Sequence, residues 1–315
     1  MAQPAVVDVH QHVWPERFVE ALRARVRPPR LDGWTLLLTG EPPYDVTPDD
    51  HDAAKRAARE ADGGADLALV SLSSPLGIEW LPPDDAAPLL DAWHRGAAEL
   101  PRPFRPWAAA NVLDPATTPL KHALDLGCVG LQLPADAMAT PAALDHVAPL
   151  LALCEERSRP VLVHPGPATV DASAALPGWW APVVDYVAQL QAAWWAWHAA
   201  GRTLFPRLRI CFAACAGLAP VHHERLVARG GRFSRVDPDV FVDTSSYGPR
   251  ALDAVIRVLG IDPIVFGSDR PYAEPTDPDL GDAATHAIRC ANPHRLLEGD
   301  SRDHAVTRAG NHPRT

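Results

Sequence analysis

The stretch AVVDVHQH, residues 5–12, passes from an apolar run into two histidines separated by one residue. On an extended strand, residues two apart point to the same face, so His10 and His12 share one. Two neutral imidazoles converging at a strand end form a natural pair for a divalent cation. Seven more brief apolar runs follow: LALVSL (67–72), FRPWAAAN (104–111), VGLQL (129–133), PVLVH (160–164), RLRICFA (207–213), VFVDTS (240–245) and PIVFGSD (263–269). Several are continuous rather than alternating, the pattern of strands covered on both faces. Between them lie amphipathic stretches such as PERFVEALRARV (15–26), TPDDHDAAKRAAREADGG (47–64), with Thr47 as the cap, and APVVDYVAQLQAAWWAWHAAG (181–201). Strand–helix alternation repeated eight times predicts an α/β chain with parallel strands, and eight units close naturally into a (β/α)8 TIM barrel. A doubly wound open sheet is the alternative that periodicity leaves standing. The expected domain is single and spans 1–298, and the polar tail 299–315 is expected to be disordered.

Composition narrows the function. The net charge of −10 comes without a block of lysines or arginines, which argues against nucleic acid or an anionic membrane surface as partner. No apolar run reaches the ~18–20 residues of a membrane span. MAQPAVVDVHQH (1–12) shows no basic region followed by a long apolar stretch, so the expected compartment is the cytoplasm. Five scattered cysteines do not make a disulfide framework, and Cys211 and Cys215 read as small buried residues rather than as a metal pair. No Gly-rich phosphate loop is present, and no serine sits in a nucleophile-elbow context.

The chemistry-bearing residues gather at strand ends. His164 closes the fifth apolar run, in VLVHPGP, where the chain turns into a Pro/Gly loop. Asp269 closes the eighth, in VFGSDRP, and a carboxylate directly after apolar residues is costly unless it is paired or bound to a cation. In a barrel, the ends of strands 1, 5 and 8 meet at one face, so His10, His12, His164 and Asp269 form a candidate site for one divalent metal, Zn2+ being the favoured ion. Loops 27–46 and 165–180, after strands 1 and 5, are long and aromatic; they read either as walls of that face or as outer packing.

DVHQH, VLVHPGP and VFGSDRP, in this order and spacing, resemble the amidohydrolase superfamily, and more narrowly its amidohydrolase-related branch of metal-dependent barrel hydrolases and aminocarboxymuconate-semialdehyde-decarboxylase-like proteins. The resemblance runs from strand 1 to NPHRLLEG (292–299). It implies a distorted barrel with the metal held by those four residues. Some members bridge two metals with a carbamylated lysine on strand 4; Gln132 stands there, which implies one metal. The branch ends strand 6 with a catalytic histidine, and here that position is Ala214. His222 and His223 follow in a helix that reads as solvated surface. With the histidine gone, the expected reaction is hydrolysis of a C–N or C–O bond next to a carbonyl, with Asp269 as the base of a metal-activated water. The alternatives are a metal-dependent non-oxidative decarboxylase of an unsaturated or aromatic acid, and a catalytically impaired barrel that binds a ligand or partner.

The substrate is expected to be a small molecule, with Arg270, Trp14, Gln132 and Tyr247 as candidate contacts. Arg270 reads equally as half of an ion pair, and Trp14 equally as core. Asp243, Ser245 and Tyr247 read as pocket residues or as turn-formers. Trp194, Trp195 and Trp197 cannot share one helix face. At least one is expected to lie exposed or at an interface, which hints at a homodimer.

Overall fold

A computed structural model describes residues 5–39, 41–168, 176–233, 236–277 and 279–299. In chain order the strands are β1 (Val7–Gln11), a small trio β2 (Arg30–Asp32), β3 (Thr35–Leu37) and β4 (Tyr44–Asp45), then β5 (Leu67–Val70), β6 (Phe104–Pro106), β7 (Leu131–Pro134), β8 (Val161–His164), β9 (Ile210–Phe212), β10 (Val240–Asp243) and β11 (Ile264–Val265). The trio is antiparallel; the other eight pair in parallel, in the orders β1-β5-β6 and β11-β10-β9-β8-β7. Backbone hydrogen bonds cross both seams between these groups. Val9 N–H donates to the Phe266 carbonyl at 2.9 Å, and His12 N–H to that of Arg270 at 2.7 Å. On the other side Ala108 N–H donates to the Gly130 carbonyl at 2.9 Å, and Gln132 N–H to that of Ala108 at 2.7 Å. The eight strands thus form the ring that the sequence pattern anticipates.

A buried apolar cluster takes residues from all eight strands or their immediate ends: Val7, Val9, Leu69, Trp107, Val129, Leu162, Cys211, Phe241 and Val265. It fills the barrel as packed core, each large side chain contributing about 1.5–3 kcal/mol by leaving water. Around the ring run α1 (Glu16–Arg23), α2 (Ala53–Asp62), α3 (Pro83–Ala98), α4 (Thr117–Asp125), α5 (Pro141–Glu156) and α6 (Tyr186–Ala196), with further helices, Pro249–Leu259 among them, completing the circuit. No helix among the described residues is long and apolar enough to cross a membrane.

Several local expectations are corrected. Residues 27–46 are not a plain loop but carry the antiparallel trio. Asp32-Gly33 is a hairpin signal, Gly33 takes φ 62°, and Leu31, Leu36 and Val46 are buried against the first units of the barrel. The cap of α2 is Asp52, whose Oδ1 accepts from Ala54 and Lys55 N–H at 3.0 Å, because a 3-10 turn over Pro48–His51 separates Thr47 from the helix. The tryptophan-rich helix passes into a π segment over Trp197–Gly201, which shifts its register. Trp194 and Trp197, three apart, share the inner face and are both buried, and Trp195 is half-buried, so this run supplies no fully exposed tryptophan. His223 is buried too, accepting the Trp194 indole N–H at 3.2 Å, whereas His222 is exposed. The tail beyond 299 and residues 169–175 of the second long loop lie outside the described residues.

At the seam between β6 and β7, a Cβ added to Gly130 would lie 2.1 Å from the Pro160 carbonyl oxygen and 2.7 Å from the Trp107 ring. Gly130→Ala is expected to cost about 3 kcal/mol by overpacking, read as a lowered urea midpoint; an unchanged midpoint would show that this seam is not tightly closed.

Candidate metal centre

Strict alternation along β1 would send His10 away from the side that Val7 and Val9 share. The pairing with β5 prevents this: Asp8 pairs with Ala68 and Gln11 with Val70, so three steps on β1 match two on β5. The extra residue is a bulge, and bulges re-aim side chains. Val9 stays in the barrel core while His10 and His12 also turn inward at its mouth. The indole of Trp107 reaches across the barrel and donates to the Val9 carbonyl at 3.0 Å.

Four side chains converge there. Ligand atoms of His10, His12, His164 and Asp269 all lie within 4.8 Å of one another. His10 Nε2 and His12 Nε2 are 3.2 Å apart, and Asp269 Oδ1 lies 3.6 Å and 3.2 Å from them. With metal–ligand bonds of about 2.1 Å, neighbouring ligand atoms should stand roughly 3.0–3.4 Å apart, so the donor set fits a single divalent cation. The imidazoles are also pre-aimed. His10 Nδ1 meets Asp243 Oδ2 at 2.9 Å, His12 Nδ1 meets the Ser71 carbonyl at 3.0 Å, and His164 Nδ1 meets the Pro165 carbonyl at 2.8 Å. With Nδ1–H donated outward, the neutral form of each ring turns its Nε2 lone pair into the site. Asp269 sits at φ 59°, a left-handed conformation that ends β11's run sharply; an aspartate tolerates this better than most residues.

The electrostatics agree with the geometry. Burial pushes the His10 imidazole down, but the Asp243 carboxylate against it prevails, and its pKa rises to about 9. Burial and the two neighbouring imidazoles drive His164 well below the usual histidine value. Burial alone would raise Asp269, yet the surrounding imidazoles hold it at about 2, so the carboxylate is ionised.

Asp243 does more than form a turn. It is fully buried, and its Oδ1 accepts from Ala214 N–H at 2.8 Å, Ser245 N–H at 2.9 Å and Ser245 Oγ at 2.5 Å. The signal that marks Asp269, a carboxylate directly after an apolar run, also marks Asp243. Tyr272 escaped sequence reading: its ring centroid lies 5.2 Å from that of His12, and its hydroxyl lies 3.3 Å from Ser73 Oγ. Only its place three residues after Asp269 could have drawn notice.

The candidate substrate contacts disperse. Trp14 is 1% exposed, stacked on His51, with its indole N–H donated to Ser73 Oγ, and so belongs to the packing behind His12. Gln132 is fully buried and donates to the Leu72 carbonyl and to Ser74 Oγ, while its Oε1 has no partner among the described residues. Arg270 pairs with Glu60 at 3.1 Å. Tyr247 is half-buried against the outer core. Ala214 opens a run of left-handed residues, with φ of 46°, 49°, 53°, 59° and 62° from Ala214 to Leu218.

A buried charge-capable group stands near Gln132. Glu79 is fully buried, takes a hydrogen bond from Ser74 Oγ, and has no partner for Oε2 among the described residues. Burial pushes its pKa up to about 7.

A (β/α)8 barrel with three imidazoles and one carboxylate converging at its mouth defines a class of metal-dependent barrel enzymes. The chain belongs to the amidohydrolase family, whose sequence profile matches residues 7–298. No curated protein matches it. Among solved structures it is similar to IDCase from Metarhizium anisopliae, at 19% identity over 94% of this chain and 98% of that one, with a TM-score of 0.73. It is similar to 2,6-dihydroxybenzoate decarboxylase from Rhizobium, at 19% identity, 94% and 99% coverage and a TM-score of 0.68. A third is 5-carboxyvanillate decarboxylase from Novosphingobium aromaticivorans with bound manganese, at 17% identity, 94% and 97% coverage and a TM-score of 0.72.

Three measurements follow from the site. The wild type should bind about one equivalent of divalent metal, and His10→Ala/His12→Ala should bind none, by elemental analysis after reconstitution. Because the folded pKa of His10 is raised, this imidazole stays protonated until pH rises through about 9. Metal must displace that proton, so affinity should fall as pH drops below about 9, with roughly one proton released near pH 7.5; calorimetry in buffers of different ionisation enthalpy reads this directly. For Glu79, the folded pKa lies above the unfolded one, so its contribution is full below pH 4.5 and declines as pH rises through about 7. Glu79→Gln should therefore raise Tm relative to wild type at pH 8 and leave it nearly unchanged at pH 4.5.

Proposed function

We propose that the protein is a metal-dependent, non-oxidative decarboxylase of a small aromatic or unsaturated carboxylic acid. The observation that carries the reading is the set of three imidazoles, each with its outer nitrogen tied and its inner one free, beside an ionised Asp269. The similarity of the whole chain to decarboxylases supports it over hydrolysis, the reaction expected from Ala214. A divalent ion bound there would act as a Lewis acid toward substrate oxygens. Manganese in one relative makes Mn2+ a candidate beside Zn2+, since a mixed imidazole and carboxylate set accepts either.

The chain's own residues divide the remaining work. His10, His12 and His164 hold the centre, and Asp243 keeps His10 in the orientation that frees Nε2. Asp269 turns Oδ1 toward the imidazoles, which leaves Oδ2 to take and return a proton. In the reaction the carbon–carboxylate bond breaks, the electron pair stays on carbon, carbon dioxide leaves, and a proton replaces it. The ring of Tyr272, beside His12, offers an aromatic wall at the opening.

The test is carbon dioxide release from a panel of hydroxybenzoates by protein reconstituted with Mn2+ or Zn2+, run beside amide and ester substrates. Decarboxylation should appear in the first panel, with deuterium incorporated at the vacated carbon in D2O. Asp269→Asn should lower kcat by about 10²–10⁴-fold. Ala214→His should raise the rate, since histidine is among the residues that accept left-handed backbone. Cleavage of amides or esters without carbon dioxide release would restore hydrolysis. Ligand binding without turnover in every variant would make the barrel a binding protein.

A further inference from the structure

Helix α2 packs on the barrel with an unusual face. Its buried residues are Arg56 and Glu60, each 2% exposed, one helical turn apart; no large apolar side chain accompanies them. Buried charges are a poor source of stability compared with well-packed apolar residues of the same size, so the face needs another explanation. The contacts supply one. Arg56 Nη1 donates to the His12 carbonyl at 2.9 Å and to the Asp50 carbonyl at 2.8 Å, and Nη2 donates to Gln11 Oε1 at 2.7 Å. Gln11 Nε2 passes the link to Asp8 Oδ2 at 2.8 Å, and Asp8 Oδ1 accepts from both His10 N–H and Ser268 N–H at 3.1 Å. One turn on, Glu60 holds the Arg270 guanidinium at 3.1 Å, while the Arg270 carbonyl accepts from His12 N–H at 2.7 Å. The helix therefore grips the backbone on either side of His10, His12 and Asp269, the candidate ligands on the first and last barrel strands.

We infer that Arg56 and Glu60 are positioning residues of the metal centre, clamping the bulged end of β1 to the turn after β11 so that its ligands keep their spacing. The inference rests on the metal-centre reading. Glu60 acts through Arg270, and neither clamp residue touches the metal or substrate. The fork of Arg56 spans two acceptors on β1 and one on the preceding turn, a geometry that an ammonium group cannot reproduce.

The experiment uses the full chain and Co2+ as probe, read by titration and by the visible d–d absorption of the bound ion. Arg56→Lys keeps the charge and loses the fork. It is expected to fold, by circular dichroism, but to bind Co2+ at least about 10-fold more weakly, with an altered d–d spectrum. Should Arg56→Lys fail to fold, Glu60→Gln carries the same readouts with the guanidinium fork left in place. A folded variant with lowered Tm but wild-type Co2+ affinity and spectrum would overturn the clamp and leave these residues a structural role alone. A wild type that binds no Co2+ would overturn the metal centre itself, which separates the two failures.

Discussion

One extra residue between Asp8 and Gln11 governs the site. Two histidines at alternate positions share a face on any strand, but Val7 and Val9 claim the barrel interior first. Only the bulge lets Val9 remain core while His10 and His12 enter the mouth, because it reverses the alternation in the middle of β1. The bulge also breaks the regular ladder, and the freed groups find specific partners: the Val9 carbonyl accepts Trp107, His10 N–H meets Asp8, and the His12 carbonyl takes Arg56. The core, the site and the helix behind it are thus joined through one irregular strand end.

A second irregularity lies across the barrel. From Ala214 to Leu218 the backbone is left-handed, a conformation that costs roughly 1–2 kcal/mol per non-glycine residue. Partners hold it in place. Asp243 and Ser245 take the Ala214 N–H, and the Gln191 amide donates to the Gly217 carbonyl at 2.8 Å. Gly217 packs so closely that a Cβ would sit 2.7 Å from the Val187 carbonyl oxygen. Since Asp243 also bonds His10, the turn at Ala214 and a candidate metal-ligating histidine share one carboxylate. The backbone at position 214 is firmly bonded.

The barrel was legible because parallel strands buried on both faces leave continuous apolar runs, and helices between them leave a different period. His10, His12, His164 and Asp269 were legible for a related reason: polar residues at the ends of apolar strands stand out. Asp243 carried the same mark but competed with a turn-forming reading. Where interpretation slipped, non-local packing decided. His223 looked destined for solvent by helix geometry alone, until Trp194 and Phe233 from other segments covered it. Arg270 read equally as a ligand contact or as half of an ion pair, and only the distant Glu60 showed the pair; Gln132 meets Ser74 from another unit.

The sequence by itself determined the strand–helix rhythm, the family and the four residues able to hold a metal, because each depends on residue type and spacing along the chain. The tertiary structure alone decided that the two histidines of β1 face inward beside valines of the same strand. It alone showed which partner meets each imidazole, and that a helix with two buried charged residues bonds to His12, Gln11 and Arg270. Those features depend on hydrogen bonds between segments tens to hundreds of residues apart, and no local pattern encodes which distant donor will meet which acceptor.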